Sequence, residues 1–301
     1  MTDAVIVAEG LSKEYGGRQV LKGLTLNVPR ASVFGFLGPN GAGKTTTIRL
    51  LLGLQRPASG RAEVLGRAAG DPRALNRLGA LVEMPSLYPN LTGLENLRVT
   101  AHYRGCDGAA CRAALDLVGL LDSANQKVNG YSLGMKQRLG LASALMHGPE
   151  LLILDEPTNG LDPAGIMEMR ALIGSLAKQS GVTVFLSSHL LTEVEQVATH
   201  LAVLHLGRLR FQGTLGAFRD RSRPRLLLGL ADASKASAFL RGRGIRTSPA
   251  EGDRVWIDAS EKDDARRINE LLVNAGFAVD HLALERSSLE AQFLEMTRAD
   301  S

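Results

Sequence analysis

The run Gly38-Pro39-Asn40-Gly41-Ala42-Gly43-Lys44-Thr45 has the residue types and spacing of a phosphate cradle. Glycines at 38, 41 and 43 let the backbone turn tightly and aim its N–H groups inward. A strand-like run, Ser32-Val33-Phe34-Gly35-Phe36-Leu37, precedes it, and a helix-like run from Thr46 to Leu52 follows. The helix adds the positive end of its dipole to the inward N–H groups. Lys44 is placed to reach the β- and γ-phosphates of a nucleotide, and the Thr45 hydroxyl to ligate Mg²⁺.

Three other places carry chemistry. Leu151-Leu152-Ile153-Leu154 runs into Asp155 and Glu156, as a buried strand whose end meets a ligand would. Asp155 suits Mg²⁺ and its water shell. Adjacent strand residues face opposite sides, so Glu156 is expected to turn toward an attacking water as general base. A second apolar strand, Val182 to Ser188, ends in His189, a donor for the γ-phosphate. Tyr15, on a turn before the cradle, offers an aromatic face for an adenine ring.

These residues need elements to hold them. Ala4 to Val28 reads as two or three strands with a turn at Tyr15-Gly16-Gly17, and Ala62 to Gly66 as another. Leu78 to Glu83 is strand-like, and Leu91 to Leu121 has helical periodicity, opened by a capping box at Thr92-Gly93-Leu94-Glu95. Ser132 is the N-cap of a helix running to His147. Helices are expected over Ala164 to Gln179 and Glu193 to His200, and a hairpin around Gly207. A charged linker at Arg219 to Arg225 leads to a smaller α+β unit ending in a helix.

Composition narrows the class. The chain has 301 residues, 45% of them hydrophobic, enough for one large and one small domain and against disorder. The net charge of +4 is spread through mixed charges, so no nucleic-acid partner is expected. Cys106 and Cys111 fit neither a redox pair nor a zinc set, and read as free thiols. The N-terminus lacks the pattern of a signal peptide, and no apolar run approaches the roughly 20 residues that span a bilayer. Any membrane role is expected to come through a partner.

In this order and spacing the motifs resemble the ATP-binding subunit of an ABC transporter, over residues 4 to 220. Gly38 to Thr45 resembles the Walker A, Asp155-Glu156 the Walker B with its catalytic glutamate, Tyr131 to Met135 the signature motif, Gly160-Leu161-Asp162 the D-loop and His189 the switch histidine. The resemblance implies an α/β P-loop cassette: a mixed, mainly parallel core sheet, an N-terminal antiparallel β subdomain and a helical subdomain at about 85–147. A small α+β accessory domain follows at 225–301. It further implies ATP and Mg²⁺ as cofactors, and a head-to-tail homodimer with ATP between one copy's Walker loops and the other's signature helix. An integral membrane permease and the cytoplasmic face of the membrane complete the expectation.

On that resemblance the nucleotide contacts are Tyr15, Gly38, Pro39, Asn40, Gly41, Ala42, Gly43, Lys44, Thr45, Thr46, Asp155 and Asp162, with Ser132 and Gly134 serving the partner's ATP. Glu156, His189, Lys44 and Glu83 are the catalytic candidates; Thr45, Asp155 and Glu83 the metal candidates. Two departures stand out. Leu133 and Met135 replace a glycine and the glutamine of LSGGQ, and Glu83 stands where the family's Q-loop has glutamine. A carboxylate accepts hydrogen bonds but cannot donate one. Glu83 and the following Tyr88-Pro89-Asn90-Leu91-Thr92 resemble exporter cassettes of the bacitracin-resistance and lantibiotic-immunity type, and Ser288 to Thr297 resembles drug-exporter tails. The alternatives are a non-transport ABC ATPase acting on ribosome or DNA, and another P-loop enzyme such as a nucleotide kinase or GTPase. The last leaves Ser132, Gly134 and His189 unexplained.

Overall fold

A computed structural model describes residues 4–221, 224–250, 252–258, 262–286 and 289–298. The chain divides into two compact units, residues 1–215 with 296–301, and residues 216–295.

The first unit begins with β1 (Ala4–Tyr15) and β2 (Arg18–Pro29), paired antiparallel across Gly16 and Gly17. Both glycines have positive φ, 53° and 80°, the geometry of a tight hairpin turn whose twist matches its strands. Then come β3 (Val33–Leu37), α1 (Lys44–Leu51), β4 (Ser59–Val64), β5 (Arg67–Ala68), α2 (Pro72–Leu75) and β6 (Leu78–Leu81). The region of helical periodicity splits into α3 (Gly93–Arg104) and α4 (Gly108–Leu117), because Gly105 takes φ 67° and caps α3. Thr92 and Glu95 form the expected reciprocal capping box. Next are α5 (Leu133–Leu145), β7 (Leu151–Asp155), α6 (Pro163–Ser180), β8 (Thr183–Ser188), α7 (Leu191–Val194), β9 (His200–His205) and β10 (Arg208–Thr214). Leu206 and Gly207, φ 47° and 77°, close the β9–β10 hairpin.

Where helix was expected over Glu193 to His200, only α7 forms. The Thr199 N–H is taken by the Val33 carbonyl, and His200 pairs with Phe34, so the chain leaves the helix to join the sheet. β6 likewise stops at Leu81, two residues short of Glu83.

The strands build two sheets. One, in order β2-β1-β4-β5, is antiparallel; the other runs β10-β9-β3-β8-β7-β6, parallel except for β10 on β9. Phe34 and Phe185 stack at 5.8 Å in a core shared with Ile6, Leu26, Ile48 and Ile153. At the amino ends of the parallel strands, Glu150 accepts from Arg77 at 2.6 and 2.7 Å and from Arg30 at 3.0 Å. The carboxyl ends carry the site.

α8 (Leu215–Asp220) reaches the first two residues of the expected linker and the next strand takes its last two; residues 222 and 223 lie outside the described residues. The second unit contains β11 (Pro224–Leu230), α9 (Ala233–Arg241), β12 (Thr247–Pro249), β13 (Arg254–Ile257), α10 (Lys262–Asn274) and β14 (Val279–Arg286), followed by α11 (Leu289–Arg298). Its antiparallel sheet, β12-β13-β11-β14, has a core of Leu226, Leu228, Leu240, Ile257 and Leu272.

Candidate nucleotide site

Strand register assembles the site. β3 pairs with β8 so that Leu37 lies beside Ser188, and β7 with β8 so that Asp155 lies beside Ser187. Gly38 continues this pairing, its N–H donating to the Ser188 carbonyl at 3.3 Å. A Cβ on Gly38 would sit 2.4 Å from the Leu204 carbonyl oxygen, so only glycine fits where the loop crosses β9. Gly41 and Gly43 have φ of 79° and 112°. α1 starts at Lys44 with no side chain capping it, which leaves its first N–H groups for an anion.

Lys44 is only 6% exposed and lies within reach of three oxygens. It donates to the carbonyls of Gly38 at 2.7 Å and Pro39 at 3.3 Å, and its Nζ stands 3.1 Å from Glu156 Oε1. The last contact is an ion pair lacking hydrogen-bond alignment, since Glu156 Oε1 has no hydrogen-bond partner. The other oxygen, Oε2, is 2.8 Å from His189 Nδ1. Asp155, 3% exposed, accepts from the Ser187 hydroxyl at 2.5 Å, and the same hydroxyl oxygen accepts from the Glu156 N–H at 3.0 Å.

The two carboxylates diverge for a reason other than strand alternation. β7 ends at Asp155, and Glu156 has φ 49°, the left-handed region. A turn, closed by the Asn159 N–H on the Glu156 carbonyl at 3.0 Å, aims Glu156 at Lys44 and His189. His189 lies just past the end of β8.

Ser132 is exposed and caps α5, accepting from the Met135 N–H at 3.2 Å. With Gly134, Leu161 and Asp162 it lines a cavity of about 400 Å³ whose lining includes none of Lys44, Asp155, Glu156 or His189. Asp162 caps α6 through the Gly165 N–H at 3.0 Å. The candidates therefore form two groups, one around Lys44 and one around Ser132.

Residues 21–159 match the model of the ABC transporter family. The bacitracin transport ATP-binding protein BcrA of Bacillus licheniformis is 42% identical over 296 residues, 97% of each chain. The chain belongs to the ABC transporter family. It is an ATP-binding subunit of that family and an ATPase. The lantibiotic transport ATP-binding protein SrtF of Streptococcus pyogenes is 42% identical over 201 residues, 67% of this chain and 87% of the other. A solved ATP-binding subunit of an ABC transporter superposes with a TM-score of 0.64 at 31% identity, covering 72% of this chain and 92% of that one.

Within this ABC cassette, several neighbours of the motifs carry no sequence signature. Glu83 takes φ 61° just beyond β6, and its carboxylate pairs with Arg49 of α1. Tyr15 is 42% exposed; its hydroxyl bonds Gln55, and Lys13 Nζ lies 5.2 Å from its ring centroid. Leu133 reaches Gly160, where an added Cβ would meet its Cδ2 at 3.2 Å.

The donor set suits a magnesium nucleotide. Thr45 is half-buried on the first turn of α1, and Asp155 engages Ser187 through one oxygen only. Among the described residues no group of three or more His, Cys, Asp or Glu side chains could cage a metal alone. Mg²⁺ rarely needs such a cage, because phosphate oxygens and waters supply most of its six ligands.

Proposed function

We propose that this cassette powers export of an antibiotic peptide through a separate membrane permease, working as an ATP-sandwiched homodimer on the cytoplasmic face. The cargo class is suggested by the names of the bacitracin and lantibiotic relatives. Among the described residues no helix is long and apolar enough to cross a membrane, which is why a permease is invoked. Residues 4–220 are the working cassette, with 85–147 as its helical subdomain and 225–301 as an accessory domain.

Convergence of Lys44, Glu156 and His189 at the carboxyl ends of β3, β7 and β8 carries the reading. The N–H groups of Gly41 and of Gly43 to Thr46, with the Lys44 ammonium, hold the β- and γ-phosphates, and Tyr15 stacks on adenine. Thr45 and Asp155 would hold Mg²⁺, which would supply charge neutralisation at the phosphate oxygens. Glu156 accepts a proton from the attacking water, and His189 donates to the γ-phosphate. Exposed Ser132 and the Gly134 N–H complete the site of the opposite copy, with Asp162 beside them. Glu83, whose Oε1 pairs with Arg49, would offer its other carboxylate oxygen to Mg²⁺ or a water.

Glu156→Gln tests this. The amide cannot take the proton, so the variant keeps ATP and accumulates as a dimer on size exclusion with ATP and Mg²⁺. A variant that stays monomeric, or that hydrolyses at the parent rate, overturns the assignment.

A further inference from the structure

Behind the Glu156–His189 contact lies a second link between the same two segments. Glu193 of α7 is 7% exposed, and its Oε2 accepts from the Thr158 hydroxyl at 2.6 Å and the Ser188 hydroxyl at 3.2 Å. The Ser188 proton has a rival acceptor, the Leu190 carbonyl at 3.3 Å, but the carboxylate is the stronger of the two. Thr158 lies two residues past Glu156, in the same turn, and Ser188 directly precedes His189. A buried carboxylate is costly to move away from its donors, so both hydroxyls are held firmly.

Glu156 itself needs such support. Its left-handed backbone is a conformation that persists only where the surroundings over-determine it. One tether is the N–H on Ser187; the other is the turn that Thr158 anchors.

We infer that Glu193 is a positioning residue for hydrolysis: through Thr158 and Ser188 it locks the Glu156 turn against the end of β8 that presents His189. The inference rests on the proposed roles of Glu156 and His189. Glu193 touches neither nucleotide nor water in this scheme. Its bonds are to the Thr158 and Ser188 hydroxyls, whereas the cradle meets Ser188 through the backbone, the Gly38 N–H donating to the Ser188 carbonyl at 3.3 Å, so its effect falls on turnover more than on the cradle.

The test uses the full chain with ATP and Mg²⁺, reading kcat, KM, the affinity of the monomer for a fluorescent ATP analogue, and thermal melting. Glu193→Ala lowers kcat by about tenfold or more while analogue affinity stays within about twofold. Glu193→Gln recovers most of the loss, because the amide oxygen still accepts from both hydroxyls. In a His189→Ala background Glu193→Ala costs less than in the parent, since part of what it fixes is the placement of Glu156 against His189. Should Glu193→Ala fail to fold, Thr158→Val removes the shorter bond alone and lowers kcat with affinity retained. Parental kcat in Glu193→Ala or Thr158→Val overturns the inference. So does an equal loss in Ala and Gln variants, or one that adds fully to His189→Ala. Glu156→Gln, run in parallel, separates the two readings. Hydrolysis there overturns the catalytic assignment; its absence there, with normal turnover in Glu193→Ala, overturns only the brace.

Discussion

Lys44 is held by Gly38, Pro39 and Glu156, so an incoming phosphate competes with three oxygens for one ammonium. Its charge is what makes that competition favourable, and Lys44→Ala is expected to lose nucleotide affinity, measured by equilibrium binding. Ser132 belongs to the other group, and Ser132→Arg is expected to block hydrolysis while leaving monomer binding intact. Neither variant hydrolyses alone, but their mixture regains activity: a heterodimer pairs the intact Walker loops of one with the intact signature of the other. No rescue on mixing, with both variants folded, counts against the shared site. Glu83 has a different partner. Glu83→Gln frees Arg49 and turns an acceptor into a group that also donates. It is expected to change turnover while monomer affinity holds, checked by steady-state kinetics and the same binding assay.

Elements decide how far these residues can stray. α5 begins at Ser132 and packs at Gly140 so closely that a Cβ there would lie 2.7 Å from Pro85 and 3.0 Å from Leu81. Gly140→Ala therefore forces α5 away from the segment after β6 that carries Glu83. The cost is on the order of 1–3 kcal/mol, read from urea unfolding, and the displaced Ser132 lowers turnover as well. Local signals made much of this scale legible in the sequence. The capping box, the glycine hairpins and the buried apolar strands each depend on residues close together in the chain. What stayed hidden depends on distant partners. Arg49 and Glu83 are neighbours only once α1 and β6 are in place. Glu193 looked like the start of an ordinary helix, yet the pull of β9 pairing shortened that helix and α7 turned its carboxylate inward. The left-handed turns at Glu83 and Glu156 follow from where strands stop, which alternation of side chains cannot reveal.

At the scale of the molecule, the amino ends of the parallel strands are tied by charge. Paired hydrogen bonds from Arg77, with Arg30 beside it, hold the Glu150 carboxyl down at about 2 against an ordinary 4.5. A depressed carboxyl stabilises the fold above its unfolded value and loses that contribution as pH falls from 4.5 toward about 2. The three side chains are well exposed, so the contribution is screened to about 1 kcal/mol or less. Glu150→Gln is expected to melt earlier at pH 7, with the gap closing below pH 4.5 in a series of thermal scans. Burial also keeps His147, His200 and His205 below 6.5. The unfolded chain then binds more protons, and stability declines already as pH drops through 6.5. Glu150 stands one residue before β7 and Asp155 closes it, so the strand separates the acid-sensitive tie from the chemistry by about 15 Å. The sheet thus has two rims with separate duties. Tolerance to acid can be engineered on one, by rewriting its charges, while the turnover number on the other is left alone.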